Sequence, residues 1–257
     1  METVLNAKLP PDQIAAACRR LPGMAPLDMA DWLDVNDAYA GQMRLREALL
    51  ASRRSEVVAQ ETCAQGAADE LLALVLKQLR LRDGFEVAAT QVRCPDGRVV
   101  EIDHSAPLVT LGHLVQEDFC ILQEQGGAYL LTGAVLCFPA SWTLAEKLGR
   151  PLLGIHDPVD SYTPDLAKRV QRLFDAIRPE RGMWRANALF YDTPELFHPR
   201  AEADPRVPLS KEPPFLRSER QSLLRLPDSG AVVFSIHTYM INRKSLRPDD
   251  ARALAER

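Results

Sequence analysis

The chain has 257 residues and carries 31 Lys and Arg against 35 Asp and Glu, which gives a formal net charge of −4. Its hydrophobic share of 46% and charged share of 26% match ordinary soluble globular proteins and argue against a disordered, fibrous or membrane-embedded chain. Such a weak negative charge offers no attractive field to polyanions. We therefore expect neither nucleic acid nor membrane among its partners.

The five cysteines are odd in number, widely spaced and without a C-x-x-C pair, which disfavours a disulfide framework or a thiolate-held metal cluster. The first eleven residues lack a basic region followed by an apolar run, and no stretch approaches the roughly 18 apolar residues of a membrane span. We expect a cytoplasmic protein. Any redox chemistry would then need a bound cofactor and electrons supplied by another protein.

The first eighty or so residues are predicted to be helical. Helical patterns cover Pro11–Arg20, a longer segment that begins near Asp37, and Ala67–Leu81, where leucine and valine recur at helical spacing. Residues 1–83 should therefore form a helical extension in front of the main fold.

From Phe85 onward, short β-prone runs separated by turn residues replace the helical pattern. The clearest pair flanks Gly126-Gly127, where glycine permits the positive φ of a tight hairpin turn. A proline-rich and charged stretch over 192–214 reads as a long loop. The predicted strands are Phe85–Val92, Arg98–Ile102, Asp118–Gln123, Ala128–Phe138, Trp184–Tyr191, Phe215–Leu226 and Ala231–Ile241.

Three helices are predicted around these strands. Ser141 should cap a short helix over Trp142–Leu148, Thr163-Pro164-Asp165 should begin a helix that ends near Ile177, and Pro248 should begin a last one. The order shows no regular β-α alternation and no glycine-rich turn from strand to helix. It predicts an α+β fold with an antiparallel sheet of five or six strands and flanking helices.

No motif of a serine hydrolase, zinc protease or nucleotide-binding protein occurs, so function is judged from weaker constellations. His156 lies in a proline-restrained loop, Gly154–Tyr162, and imidazole is a good axial donor to haem iron. A single histidine is nevertheless more often a capping or core residue. His237, in a predicted strand, is the second candidate for a metal ligand.

The segment Arg217–Pro227 alternates polar side chains on both faces of a strand. Gln221 and its odd-numbered neighbours face one way, and Arg220 and its even-numbered neighbours face the other. The pattern favours a solvated edge strand with cross-strand ion pairs. The alternative is the wall of a polar pocket, in which an arginine pairs with a propionate or polarises bound oxygen.

Two further groups of residues have a structural and a functional interpretation. Arg185 and Asn187 share a strand face. They could bind a carboxylate or an amide of a ligand, and equally could hydrogen-bond to backbone groups at a sheet end. Trp142, with Lys147 on the following helix, and Trp184 either pack in a core, which is the commoner case, or contact a cofactor.

Several ordered blocks between Pro22 and Ile241 resemble one protein family. The blocks are Pro26-Leu27-Asp28, Asp31-Trp32-Leu33, Val115–Leu122, Cys137-Phe138-Pro139 with Trp142 and Lys147, Ile155–Val159, Trp184–Asn187, Glu219–Gln221, Arg225–Pro227, Ser229-Gly230 and Thr238-Tyr239. In this order they resemble the haem-dependent oxidative N-demethylase α-subunit family.

The resemblance implies a single domain, in which the extension 1–83 precedes a PAS-like haem-binding core over 84–242 and a C-terminal helix over 243–257. It implies haem b in this chain and oxidation of a small secondary amine with O2. Electrons would come from NADPH through a reductase partner that carries FMN and a [2Fe–2S] cluster. Because a fold does not fix a function, a non-catalytic haem or gas sensor and a haem-free binding protein stay open as alternatives.

The resemblance also implies roles for individual residues. His156 becomes the axial ligand of the iron, with His237 as the alternative. Arg220 and Gln221 would polarise oxygen, and Tyr239 completes the catalytic set. The residues implied to contact the cofactor are His156, Trp142, Lys147, Trp184, Arg185, Asn187 and Arg225.

Overall fold

The computed structural model describes residues 3–20, 23–151, 171–205 and 207–255 of the chain and has the predicted α+β class. The helices are α1 (Pro11–Ala17), α2 (Tyr39–Ser52), α3 (Arg54–Val57), α4 (Gln65–Leu79), α5 (Pro107–Leu114), α6 (Leu144–Lys147) and α7 (Pro248–Ala255). Residues 171–176 are also helical. The strands are β1 (Ala25–Pro26), β2 (Val58–Gln60), β3 (Glu86–Val87), β4 (Gln91–Arg93), β5 (Val99–Glu101), β6 (Asp118–Gln125), β7 (Ala128–Val135), β8 (Met183–Tyr191), β9 (Phe215–Arg225) and β10 (Val232–Asn242).

Seven strands form one antiparallel sheet in the order β1-β8-β9-β10-β6-β7-β2. The five long strands, β6 to β10, are those predicted from Asp118 onward, and the β6–β7 hairpin turns at Gly126 and Gly127 with φ of 61° and 86°. The predicted count of five or six strands is wrong because the N-terminal extension adds a very short strand at each edge. Both edges of the sheet are thereby blunted against pairing with other chains.

The runs predicted at Phe85–Val92 and Arg98–Ile102 do not join this sheet. They form a separate three-stranded sheet, β3-β4-β5. Helix α5 follows it and was not predicted; Gly112 lets this helix approach β7 closely, because a Cβ there would lie 2.9 Å from Val135 Cγ2.

Strand β9 lies in the interior of the large sheet, paired with β8 on one side and β10 on the other. The prediction of a solvated edge strand is therefore wrong. The predicted alternation is correct, but both of its polar faces are largely buried, because helices and loops cover each side of the sheet.

The loop after β7 departs from its predicted geometry at Ser141. This residue has φ 63°, the left-handed region that costs a non-glycine residue about 1–2 kcal/mol. Ser141 therefore does not cap the short helix, which begins two residues later than predicted, after Thr143. Of the helix predicted to begin at Thr163, residues 171–176 are helical and the earlier part lies outside the described residues.

A fully buried ion pair fixes the position of the loop that Ser141 belongs to. Arg46 on α2 contacts Asp118 Oδ1 at 2.7 Å, and the Asp118 carboxylate accepts hydrogen bonds from the backbone N–H groups of Cys137 and Phe138. Arg46 also donates to the carbonyls of Gly112, Gln116 and Glu117. The extension therefore holds both the start of β6 and the end of β7.

The N-terminal segment contacts the last long strand of the sheet. Asn6 forms a parallel bridge with Ile241 on β10, and its backbone N–H donates to the carbonyl of Met240 at 2.7 Å. In the described part of the chain no helix is long and apolar enough to cross a membrane.

The pairing register defines two faces of the large sheet, since directly opposed residues of antiparallel strands lie on one side. Arg220 stands opposite Ala186 and His237, and we call this side the Arg220 face; Gln221 stands opposite Arg185 and Ile236, on the Gln221 face. Helix α1 packs on β8 and β9 at the Arg220 face. The Gln221 face is covered in part by Trp142, Leu144, Phe174 and Ile177.

Candidate functional site

A hydrogen-bond network fills the centre of the Arg220 face around His237, which is 1% exposed, although Glu117 Oε2 and Arg220 Nε are buried there without a partner among the described residues. His237 Nδ1 lies 2.9 Å from Glu117 Oε1, and Nε2 lies 2.7 Å from Asn36 Nδ2. Asn36 Oδ1 accepts from the Ala38 N–H, so the Asn36 amide nitrogen donates to His237 Nε2. Both ring nitrogens are therefore engaged, and His237 has no lone pair to offer to iron.

Tyr239 and Arg220 belong to the same network. The Tyr239 hydroxyl donates to Asp34 Oδ2 at 2.5 Å, and burial together with the Asp34 charge raises the pKa of that hydroxyl. The Arg220 guanidinium stacks 3.8 Å above the Trp184 ring and lies 3.3 Å from Asp12 on α1. These contacts hold the extension against the sheet and leave little of the network open to a ligand.

The Gln221 face carries a row of polar side chains along β8 and β9. Arg217 is 2% exposed, and its Nε lies 3.2 Å from Glu219 Oε1. Its two terminal nitrogens donate to the backbone carbonyls of Leu196 and Phe138. Glu219 Oε2 accepts from Asn187 Nδ2 at 3.2 Å and from Gln221 Nε2 at 3.0 Å. A buried carboxylate thus binds one cation and two amides.

Two polar atoms in this row have unused hydrogen-bonding capacity. Thr238 is directly opposite Glu219 on β10, and its Oγ1 is buried with no partner in the described part of the chain. Gln221 is half-buried, and its Oε1 accepts nothing from any described residue. A buried unsatisfied hydroxyl is costly, so it marks a place where a bound molecule or water would stabilise the protein.

The rest of the Gln221 face is apolar. Its side chains line β6, β7 and β10 and contact Trp142 and Leu144 from the loop and helix after β7. They include Cys120, Leu122, Leu131, Ala134 and Ile236. One face of the sheet therefore combines an apolar half with a polar half.

A strained loop borders the polar half. The Ser141 backbone N–H donates to the His198 carbonyl at 2.9 Å, and the His198 ring meets the Tyr191 ring edge-on with 5.5 Å between the ring centres. Burial raises the pKa of Tyr191 and, together with Arg217, lowers the pKa of His198. Residues held in sparsely populated backbone conformations often cluster at functional sites. No sequence pattern indicated His198, because its place beside Tyr191 depends on a long loop.

The remaining predicted site residues fall into three groups. Trp142, Arg185 and Asn187 lie on the Gln221 face. Lys147 pairs with Glu202 in the loop after β8. Arg225 holds residues 171–177 by donating to the carbonyls of Phe174 and Ile177, and it also reaches the Tyr129 hydroxyl and the Gly230 carbonyl.

The structure therefore separates residues that the sequence analysis grouped together. Gln221 is near Arg185 and Asn187, whereas Arg220, Tyr239 and Trp184 lie across the sheet with His237. Consecutive residues of a strand point to opposite faces, so Arg220 and Gln221 lie on opposite sides of the sheet. His156 lies outside the described residues.

Comparison with known proteins identifies the family. A family model described as haem-dependent oxidative N-demethylase, alpha subunit-like, matches residues 23–257. The chain belongs to this family. Among curated proteins, no match to the chain was found.

The family's haem dependence can be tested against the two faces. Haem pairs a broad apolar ring with two carboxylates and needs a single axial donor from the protein. The Gln221 face of this N-demethylase-like chain fits such a molecule, with an apolar half, amide and arginine donors and an unsatisfied Thr238 hydroxyl. The Arg220 face fits less well, because both ring nitrogens of His237 are engaged and helix α1 packs over this side of the sheet. No group of three His, Cys, Asp or Glu residues suited to a metal ion occurs among the described residues.

Proposed function

We propose that this chain is the haem b-binding subunit of an oxygenase that removes a methyl group from a small secondary amine. The match to the N-demethylase α-subunit family over residues 23–257 carries this proposal. In it the large antiparallel sheet is a PAS-like sheet, O2 is the oxidant, and a reductase partner with FMN and a [2Fe–2S] cluster supplies electrons from NADPH. Such a partner is required because this chain has no nucleotide-binding fingerprint and no cysteine pair for a cluster.

We place the haem on the Gln221 face, with His156 as its axial ligand. Described residues on both sides of the segment that contains His156 support this placement. Pro151 bridges Leu130 on β7, and Phe174 packs against Tyr129 at a ring distance of 5.2 Å. His237, the other candidate ligand, has both ring nitrogens engaged.

When bound, haem supplies the activation of O2 and the electron transfer that oxidise the N-methyl carbon. The chain's own residues bind and orient the reactants. Trp142 and the apolar half of the Gln221 face exclude water from the macrocycle. Arg185 is placed to pair with a carboxylate of the cofactor, while Asn187 and Gln221 face the substrate side. Arg220 and Tyr239 brace the extension from across the sheet and take no part in this chemistry.

The haem proposal is tested by the absorption spectrum of the protein expressed with a haem precursor. We expect a Soret band that titrates to one haem per chain. The His156→Ala variant should lose or shift this band, and the His237→Gln variant should retain it. A wild-type protein without a Soret band overturns the proposal, and an unchanged band in His156→Ala overturns the ligand assignment alone.

Turnover is tested with dimethylamine, O2 and a chemical or enzymatic reductant. The proposal predicts oxygen consumption together with formaldehyde release from the haem-loaded chain. A haem or gas sensor would bind haem and give neither product, so a Soret band without turnover favours that function instead.

A further inference from the structure

Glu219 lies at the centre of the polar row and holds the amides around it in fixed orientations. Its side chain is 9% exposed, and it contacts Arg217, Asn187 and Gln221. We propose that Glu219 is a positioning residue for amine recognition, and that it turns Gln221 so that Oε1 accepts a hydrogen bond from the N–H of a cationic amine. This inference rests on the proposed function.

The hydrogen bonds decide which amide is able to meet a substrate. Asn187 donates to Glu219 through Nδ2 and accepts from the Glu219 backbone N–H through Oδ1, so both ends of its amide are used. Gln221 donates to Glu219 through Nε2 only, which directs its oxygen away from the carboxylate. Gln221 is therefore the contact residue, and Asn187 helps to hold Glu219.

The charges in the row are Arg217 and Glu219, which pair with each other, and Arg185, which stands opposite Gln221 on β8 and pairs with a cofactor carboxylate in the proposed function. An amide whose N–H donates to a carboxylate is polarised, and this polarisation strengthens its oxygen as an acceptor. Arg217 balances the Glu219 charge, but its guanidinium also donates to two backbone carbonyls beneath the row and is 2% exposed. The surface that a ligand meets is thus a carbonyl oxygen backed by a carboxylate.

The unsatisfied Thr238 hydroxyl is a second, independent sign that a polar ligand belongs here. Thr238 on β10 and Asn187 on β8 flank Glu219 from opposite sides, and Thr238 is 1% exposed. A small ammonium ion with two N–H groups would be able to use two acceptors of this row. The site therefore selects small aliphatic ammonium ions that carry at least one N–H, and it discriminates against ions of equal charge without one.

The test is a calorimetric titration of the haem-loaded full chain with dimethylammonium chloride, and with tetramethylammonium chloride as a probe of equal charge without an N–H. The wild type should bind dimethylammonium more tightly than tetramethylammonium. Gln221→Leu should weaken dimethylammonium binding by about tenfold or more, the loss expected for a hydrogen bond to a charged group, and leave tetramethylammonium binding unchanged. Gln91→Leu, at an exposed glutamine on β4, is the matched control and should change neither.

Glu219 is tested by Glu219→Gln, which keeps the shape of the side chain but removes the charge that orients the amides. We expect it to weaken dimethylammonium binding about as much as Gln221→Leu, and to reduce the amine-induced shift of the Soret band. Glu219→Gln leaves Arg217 buried without a counter-ion. The double variant Arg217→Met/Glu219→Gln removes both charges, and it should weaken dimethylammonium binding by the same factor.

The outcomes distinguish a failure of this inference from a failure of the proposed function. A Soret band together with unchanged dimethylammonium affinity in Gln221→Leu overturns this inference and leaves the proposed function standing. Equal loss of affinity for both ions in Gln221→Leu also overturns it, since the N–H would not be what is recognised. A wild-type chain that binds no haem overturns the proposed function, and this inference with it.

Discussion

The two faces of the large sheet carry similar side chains and use them differently. On the Arg220 face, His237 is hydrogen-bonded to Glu117 and Asn36, and Tyr239 is hydrogen-bonded to Asp34 of the extension. On the Gln221 face, the polar row is paired below but leaves a glutamine oxygen and a threonine hydroxyl without partners among the described residues. Polarity alone therefore does not locate the site. The difference lies in what surrounds the polar groups: helix α1 packs over the Arg220 face, whereas the unpartnered acceptors of the Gln221 face lie beside an apolar surface.

The largest expected effect comes from breaking the buried ion pair between the extension and the sheet. Arg46→Met leaves Asp118 buried and without its cation, which should lower the free energy of unfolding by about 3–5 kcal/mol in urea titrations followed by circular dichroism. Arg54→Met, at an exposed position of α3, is the control and should change stability by about 0.5 kcal/mol or less. A loss of similar size in both variants would show that the ion pair is not what holds the extension.

The cover of the Gln221 face should depend strongly on one arginine. Arg225→Met removes the donors to Phe174 and Ile177 and should cost about 1–3 kcal/mol. Hydrogen exchange at the amides of residues 171–177 should accelerate more than exchange in β10. Arg225→Lys keeps the charge but lacks the planar fork, so it should recover only part of the loss. Full recovery by lysine would mean that charge, and not geometry, holds this segment.

A smaller effect separates stability from chemistry on the Arg220 face. Tyr239→Phe removes the hydrogen bond to Asp34 and should lower the free energy of unfolding by about 1 kcal/mol. Because Tyr239 lies across the sheet from the proposed haem site, haem content and formaldehyde release should be unchanged. Loss of turnover with full haem content would return Tyr239 to the catalytic set and contradict the separation of the faces.

The smallest effect is expected at the strained loop beside the polar row. Ser141→Gly relieves the left-handed backbone and should raise stability by up to about 1 kcal/mol. Ser141→Ala keeps the left-handed backbone and removes only the hydroxyl, so it should stay within about 0.5 kcal/mol of the wild type. Differential scanning calorimetry of the three proteins distinguishes the two contributions, and a glycine variant less stable than the alanine variant would argue against strain at this position.

Much of the fold follows from patterns that are local in sequence. The hairpin around Gly126 and the alternation along β9 are confirmed because turn chemistry and a period of two are properties of neighbouring residues. The interior position of β9 was missed because it depends on β8, which is about thirty residues away along the chain. The edge strands β1 and β2 were missed because strands of two or three residues carry no periodic signal.

The site was less predictable, for the same reason. Resemblance groups residues that are adjacent in sequence, and it placed Arg220 beside Gln221 in one role, although strand geometry sends them to opposite faces. The network around His237 joins residues separated by 120 and 201 positions, which no local pattern reveals. The unused acceptors of Gln221 and Thr238 become visible only when every hydrogen bond around them is counted.

The contact between Asn6 and the last long strand has a consequence for biosynthesis. Asn6 exchanges hydrogen bonds with Met240, which lies 234 residues later, and β1 cannot pair until β8 exists. A ribosome must therefore release the chain as far as Met240 before Asn6 can bond, and as far as β8 before the β1 edge can be completed, whereas the β2 edge needs only β7. Such long-range closure slows folding and leaves strand edges exposed during synthesis. The first residues to be made are thus among the last to reach their final partners.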